Sequence, residues 1–251
     1  MSRTPFVSST VFAAVGGGSW MSVPVPPWQQ RAGRSRAGRQ PLSLEAIVGT
    51  ALGLMDREGL DAVSMRRVAQ ELGTGAASLY AYVRNKSELH ELMLDLVIGE
   101  IPVPEPDPAR WRDQLKQIAR DQVRVFAEHP GIAQVVMRTP APTGPNALAM
   151  MEAVLAILRS AGLPDRVVAF AADLLALYPN AVALERSAAF GLPAEELGER
   201  MSQVERYFSQ LPRETFPTIV ALLPSLMAGE GDERFEFGLE VIMRGLESWA
   251  G

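Results

Sequence analysis

The chain has 251 residues, a formal net charge of −5, 47% hydrophobic and 21% charged residues, and no cysteine. Its length fits one large domain or a small module joined to a larger one, and its composition excludes disorder over most of the chain. The absence of thiols excludes disulfides, thiolate zinc sites and cysteine nucleophiles, and it suits a reducing cytoplasm.

The first 41 residues are rich in Gly, Pro, Ser and Arg and have no hydrophobic period, which is typical of a disordered extension. Their apolar run is too broken for a signal peptide, and we expect no run of ~18 apolar residues anywhere, hence a cytoplasmic protein without a membrane partner. Arg31, Arg34, Arg36 and Arg39 have no acidic neighbour, and we call them the arginine arm. The arm is either a solvated tail or a cationic contact to a partner.

Two helices are predicted next. The first begins at Ser43, has apolar residues at helical spacing and stops at Gly59. The second runs from Met65 to Leu72, with Ser64 as its N-cap and Gly73 after its end.

A third short helix is predicted over residues 75–83, and a fourth begins at Asn85. Asn85 with Glu88 three residues later resembles a capping box, so Lys86 falls in the first turn of the fourth helix. The proline-rich stretch 101–108 then forms the clearest break in the chain.

Six amphipathic runs follow, separated by Pro or Gly. They cover 109–128, 145–161, 165–187, 194–210, 214–227 and 232–249. No run alternates as a half-buried strand does, so the sequence predicts an all-α fold with a small N-terminal helical module and a larger helical body.

The second and third helices have the arrangement of a helix-turn-helix, because a tight glycine turn lets the second helix leave at a steep angle and enter a major groove. Charge supports this interpretation. Between Arg31 and Lys86 there are nine basic and five acidic residues, although the whole chain is acidic. A cationic head on an acidic body can bind phosphate without a basic overall pI.

Three stretches carry a resemblance to a known family. LSLEAIVGTALGLMDREGL and VSMRRVAQELGTGAASLYAYVRNKSELHELMLD, with its run from Leu79 to Lys86, resemble the DNA-binding domain of TetR-family transcriptional repressors. Residues 109–163 resemble the regulatory domain of the tetracycline-repressor branch through Trp111, the His129-Pro130 turn and the Arg138-Thr139-Pro140 segment. The resemblance covers residues 43–163 well and the remainder loosely.

The resemblance implies a helix-turn-helix DNA-binding site. Ser64 would offer its hydroxyl and backbone amide to a phosphate, or serve only as a helix cap, and Arg66 would reach guanine in the groove. Lys86 would bind a phosphate at a helix N-terminus, with a solvated lysine as the alternative. The recognition-helix residues expected to face DNA are Ala76, Ala77, Ser78, Tyr80, Ala81 and Tyr82.

The resemblance also implies three regions: the extension 1–41, the helix-turn-helix domain 42–88, and an effector-binding and dimerisation domain 89–251. The expected protein is a ligand-responsive regulator, a repressor that binds a palindromic operator as a homodimer. The apolar runs 167–184 and 235–249 would form a four-helix interface between subunits.

The body departs from the tetracycline repressor where that protein holds its drug and magnesium. The corresponding positions fall near Pro102, Ile118 and Val136, which cannot coordinate a metal. We therefore expect no metal, no cofactor and a largely apolar effector. The expected contacts are Ile118, Gln122, Val136, Met150, Met151 and Phe170, each of which core packing also explains.

Two other classes of function fit the sequence less well. An enzyme needs convergent acid, base or nucleophile groups, and neither His90 nor His129 has a carboxylate at catalytic spacing. A helical ligand-binding dimer that has lost DNA binding is the alternative. Tyr80 and Lys86 argue against that alternative.

Overall fold

The computed structural model describes residues 42–139, 141–190, 194–228 and 231–250. Within these ranges the regular elements are helices without any strand, which confirms the predicted all-α class. The arginine arm lies outside the described residues. The helices are α1 Leu44–Glu58, α2 Met65–Glu71, α3 Ala76–Leu79, α4 Lys86–Ile98, α5 Trp111–Glu128, α6 Ile132–Arg138, α7 Pro145–Ser160, α8 Asp165–Phe190, α9 Ala194–Ser209, α10 Pro217–Met227 and α11 Gly231–Glu247, with one 3₁₀ turn at Leu60–Ala62.

Helices α1 to α3 form a compact head whose ends are set by local capping. Ser43 Oγ accepts a hydrogen bond from the Ala46 N–H at 3.1 Å, and Ser64 Oγ accepts one from the Arg67 N–H at 3.2 Å. These bonds satisfy N–H groups that have no partner inside the helix. The predicted Ser64 cap is therefore confirmed, and Ser43 caps α1 in the same way.

The turn between α2 and α3 is a Schellman motif centred on Gly73. The Thr74 N–H donates to the Ala69 carbonyl at 2.9 Å and the Gly73 N–H donates to the Gln70 carbonyl at 3.0 Å. Gly73 has a φ of 62°, a left-handed conformation that costs glycine little. This turn is what directs α3 away from α2 and gives the head its helix-turn-helix geometry.

Helix α3 is shorter than the sequence predicts. The prediction of residues 75–83 is wrong at its end, because the helix covers Ala76–Leu79 and continues as a turn. The Tyr82 N–H donates to the Leu79 carbonyl at 2.9 Å, a three-residue spacing that tightens the chain. The buried Val83 anchors the end of this turn in the core.

Helix α4 connects the head to the rest of the chain, which we call the body. Its buried Leu89, Met93 and Val97 share one hydrophobic cluster with Leu54 of α1 and Ile132 of α6. The predicted domain boundary after residue 88 therefore falls inside a continuous helix and a continuous core. A displacement of α4 must accordingly move the head.

The body is built around α8, which packs against α5, α6, α7 and α11. Helix α11 is held to α5 by ion pairs, including Arg120 Nε to Glu236 Oε1 at 2.6 Å and Arg112 Nη2 to Glu240 Oε1 at 3.1 Å. Helix α6 is absent from the predicted elements. It has only seven residues, too few to show a helical period of apolar residues in the sequence.

Helix α8 is apolar on nearly every face. The stretch Asp165–Ser187 is long and apolar enough to cross a membrane, so the expectation that no such run exists is wrong. Packing supplies a different reason for this composition. One side of α8 faces the body core through Val168, Ala171 and Leu175, whereas Leu174 and Leu177 are exposed on the other side.

Candidate DNA interface and effector cavity

The predicted DNA-contacting residues come from the turn, α3 and the two helices that flank it. Arg66, Ala77, Ser78, Tyr80, Ala81, Tyr82 and Lys86 are exposed, while Ser64 and Ala76 are half-buried. Ala76 packs partly against the head core, so less of it is available for DNA. Tyr80 is 52% exposed and Tyr82 is 38% exposed, so both rings are available for contact with DNA.

The two adjacent arginines of α2 have different surroundings. Arg67 is bound within the head, with Nη2 2.8 Å from Glu58 Oε1 and Nη1 3.1 Å from Glu71 Oε2. Arg66 is exposed and forms no ion pair with any residue in the described ranges. Its guanidinium is therefore available for a bidentate contact to a base edge.

Lys86 is the first residue of α4, and its position is fixed by a cap. Asn85 Oδ1 accepts a hydrogen bond from the Glu88 N–H at 2.9 Å, as predicted. The carboxylate of Glu88 accepts from the backbone N–H of Arg84 and lies 3.2 Å from Arg84 Nε. The cap leaves Lys86 exposed beside a helix N-terminus, where the helix dipole favours an anion.

The same helix that begins at Lys86 ends in the wall of a cavity. Leu94 and Ile98 of α4 line a partly open cavity of about 520 Å³ within the body. Ile98 lies about 18 Å along the helix axis from Lys86, at 1.5 Å per residue. One rigid element thus reaches both the predicted phosphate site and the cavity.

The cavity brings together five of the six predicted effector contacts. Its lining includes Ile118, Gln122, Val136, Met150 and Met151. The volume and the mainly apolar lining are typical of a site for a drug-sized ligand. Leu94 and Ile98 were not predicted because their spacing is that of ordinary core residues.

Phe170 is the exception. It is 63% exposed and is not part of the cavity lining, and the guanidinium of Arg166 lies 5.3 Å from the centre of its ring. Ala169 and Ala172, on either side of it in sequence, line the cavity instead. The prediction of Phe170 as an effector contact is not supported by this geometry, because successive residues of a helix point about 100° apart.

Asp95 links α4 to the cavity helix α7. Its Oδ1 accepts a hydrogen bond from the Ala147 N–H at 2.9 Å, and Asn146 Nδ2 donates to the Asp95 carbonyl at 3.0 Å. Asp95 therefore caps α7 from another helix, a role that Gly144 at the N-cap cannot fill. Burial raises the pKa of Asp95, and the hydrogen bonds from Ala147 and Asn146 act in the opposite direction.

His129 forms a second link between head and body. Its Nδ1 lies 3.1 Å from Asp56 Oδ2, at the end of α1, and its Nε2 lies 3.4 Å from Glu100 Oε2, just after α4. Burial disfavours the charged ring, but the hydrogen bonds and charges of Asp56 and Glu100 together raise the pKa of His129 to about 9. The imidazolium therefore holds two carboxylates that would otherwise repel each other.

Comparison with known proteins identifies relatives of both parts of the chain. A family model described as "Bacterial regulatory proteins, tetR family" matches residues 47–93, and a model described as "Tetracyclin repressor-like, C-terminal domain" matches residues 103–249. The HTH-type transcriptional repressor DrrR1 of Streptomyces coeruleorubidus is 34% identical over 232 residues, which is 88% of this chain and 83% of that protein. The Escherichia coli tetracycline repressor protein class C is 28% identical over 208 residues, 82% of this chain and 91% of that repressor.

A solved structure is also similar over most of its length. ActR from Streptomyces coelicolor, a TetR family protein crystallised in complex with actinorhodin, is 44% identical with a TM-score of 0.80. The match covers 85% of this chain and 99% of that one.

Proposed function

The chain belongs to the TetR family of bacterial transcriptional regulators, and we propose that it performs the family's two tasks at the two sites described above. It is a ligand-responsive DNA-binding repressor that acts as a homodimer and not as an enzyme. We place operator binding on the exposed face of α2, α3 and the start of α4. We place effector binding in the 520 Å³ cavity of the body.

The proposed division of the chain follows from these two sites. Residues 42–88 would form the DNA-binding domain and residues 89–251 the effector-binding and dimerisation domain, with α4 as their shared helix. Residues 1–41 would be a basic extension. The protein acts on DNA, so we propose that it works in the cytoplasm.

The observation that carries the proposal is the continuity of α4. Lys86 begins this helix at the proposed phosphate contact, and Leu94 and Ile98 line the cavity at its other end. A ligand that pushes on Leu94 or Ile98 has to displace the helix, because the packed core around Leu89 and Met93 transmits strain. We infer that this displacement changes the distance between the two heads of the dimer and releases the operator.

We place the dimer interface on α8 and α11. The exposed large apolar side chains of these helices are Phe170, Leu174, Leu177, Phe237 and Val241, and the exposed Trp249 follows the end of α11. An apolar surface of this kind indicates contact with another subunit. Two such helices from each chain would form the expected four-helix interface.

The effector is proposed to be largely apolar. Ile118 and Val136 line the cavity near the positions of polar drug and metal ligands in the tetracycline repressor. Because these two side chains are apolar and cannot coordinate a metal, we do not propose tetracycline or magnesium as the ligand. ActR was crystallised with actinorhodin, so we propose that a compound related to actinorhodin binds here.

Binding to the promoter of its own gene tests this function. We expect small-angle scattering of the protein with that DNA to give a dimer on one pseudo-palindromic site, because one head offers too few contacts for strong affinity. A monomer bound to this DNA at saturation would contradict the proposed dimer. Absence of any gel-shift would instead favour a ligand-binding dimer without DNA binding.

A further inference from the structure

The cavity contains one polar pair that packing does not explain. Gln122 Nε2 of α5 donates a hydrogen bond of 2.6 Å to Asn180 Oδ1 of α8, and Asn180 is only 6% exposed. Apart from this pair and the exposed Asp173, the described lining of the cavity is apolar. Burying amides costs free energy unless they are hydrogen-bonded, so a core built only for packing would carry apolar residues here.

The pair has unused hydrogen-bonding capacity. Each amide side chain has two N–H donors and an oxygen acceptor, and the mutual bond uses one donor of Gln122 and the oxygen of Asn180. Gln122 Oε1 and Asn180 Nδ2 make no further bond to a described residue. Among the described side chains, His90 Nε2 is the polar atom that is fully buried without a hydrogen-bond partner. Gln122 Oε1 and Asn180 Nδ2 are not in that state. Both groups are therefore accessible from the cavity.

Small side chains of α8 form a smooth wall of the cavity along which a ligand can reach this polar pair. Ala169, Ala172 and Ala176 line the cavity from one face of α8, and Asn180 follows Ala176 by one turn. Methyl side chains leave room for a rigid ring system to lie along the helix. Asn180 then meets the end of such a ligand.

We propose that the Gln122–Asn180 pair is the polar recognition element of the effector cavity and selects fused-ring ligands that carry a hydroxyl group. A hydroxyl can donate to Gln122 Oε1 and accept from Asn180 Nδ2 at the same time, whereas a ketone can only accept. This inference rests on the proposed function, because it treats the cavity as the effector site. It adds the chemical feature by which the effector is recognised.

The test uses two probes that differ by one hydroxyl, 2-hydroxyanthraquinone and anthraquinone. Isothermal titration or ligand fluorescence measures the affinity of the full chain for each. We expect wild type to prefer the hydroxylated probe by at least about fivefold, since each net hydrogen bond contributes about this much. In the double variant Gln122→Leu/Asn180→Leu the preference should fall below about twofold.

The double variant is needed because a single change removes the hydrogen-bond partner of the remaining amide within a mainly apolar lining. Gln122→Leu and Asn180→Leu alone should each unfold at a lower temperature than the double variant. Gln117→Leu, the same change at an exposed position of α5 outside the lining, is the matched control and should keep the wild-type preference. Thermal melting followed by circular dichroism checks that each variant is folded.

The possible outcomes separate this inference from the proposed function. A double variant that keeps the full preference would overturn the role of the pair. Failure of wild type to bind either probe, with promoter binding intact, would overturn the ligand class and leave the proposed function standing. Loss of the preference in the double variant supports the pair even if wild type does not bind its promoter, a result that would reject the proposed function alone.

Discussion

Asp95 on α4 caps the first turn of α7 by accepting a hydrogen bond from the Ala147 N–H at 2.9 Å. Ala147 lines the effector cavity, and α4 begins at Lys86 of the proposed DNA interface. The half-buried carboxylate of Asp95 therefore joins a wall of the cavity to the helix that positions the head. The bond is a specific candidate for the contact that couples the two sites.

Removing this cap should weaken both stability and coupling. A methyl group at Gly144 would overlap the carboxylate of Asp95, whereas one at Gly49 of α1 would meet open space. We expect Gly144→Ala to lose about 1–2 kcal/mol in the free energy of unfolding, because loss of a cap and a clash act together. Gly49→Ala should be neutral or slightly stabilising.

Chemical denaturation measures the stability difference, and release of promoter DNA by actinorhodin measures coupling. Asp95→Asn can still accept from the Ala147 N–H, so it should keep more of the response than Asp95→Ala. Equal stability of Gly144→Ala and Gly49→Ala would show that the cap contributes nothing.

Stability should fall as the pH rises above neutrality because of His129. Its pKa is raised to about 9 in the folded protein from 6.5, so the stabilisation is fully present below pH 6.5 and is lost as the pH rises through 9. Solvent screening of this partly exposed group limits the stabilisation to at most about 3 kcal/mol. Melting temperatures between pH 6 and 9.5 should decline in wild type and stay flatter in His129→Gln. Parallel curves for the two proteins would contradict this prediction.

Lys86 and Arg66 should affect DNA binding in different ways. Lys86→Ala should weaken binding to operator and random DNA alike and reduce the salt dependence by about one counterion per subunit, because a phosphate contact ignores base identity. Arg66→Ala should lose roughly 1–3 kcal/mol on operator alone. Binding of both variants to operator and scrambled DNA over a salt series separates the effects.

Arg67→Ala is the control for Arg66, since Arg67 is already paired with Glu58 and Glu71. Its effect on base preference should be small. Identical binding profiles for Lys86→Ala and Arg66→Ala would contradict the assignment of a phosphate contact to Lys86 and a base contact to Arg66. No loss of DNA affinity in either variant would contradict the assignment of the DNA-binding site.

Deleting residues 1–40 should reduce affinity for all DNA by a similar factor. The arginine arm carries four cations immediately before α1, and such segments bind phosphates or the minor groove without reading sequence strongly. Titration of operator and scrambled DNA with the shortened chain gives the two factors. Loss confined to operator would mean that the arm reads sequence.

Local signals made the head and most helices predictable. Ser43, Ser64, Gly73 and Asn85 act on residues within five positions, so their roles are visible in the sequence. The cap from Asp95 to Ala147 spans 52 residues and has no local signature. It depends on how α4 and α7 pack.

The cavity was predictable only in part, for a related reason. The resemblance led to expected effector contacts such as Ile118, Val136 and Met150, and these residues of α5, α6 and α7 line the cavity. Helix α8 is apolar on both sides, so its pattern could not tell the cavity face of Ala169 and Asn180 from the outer face of Phe170. Only the packed structure distinguishes them.

Fluorescence anisotropy of a labelled promoter fragment measures whether a ligand in the cavity releases the dimer from its operator. Wild type should bind this fragment more tightly than a scrambled one, and saturating actinorhodin should raise the apparent Kd for the promoter at least about tenfold, within the usual range of allosteric coupling. Equal affinity for promoter and scrambled DNA would contradict specific binding to the operator. A promoter Kd unchanged by saturating actinorhodin and by 2-hydroxyanthraquinone would contradict release of the operator by a ligand in the cavity.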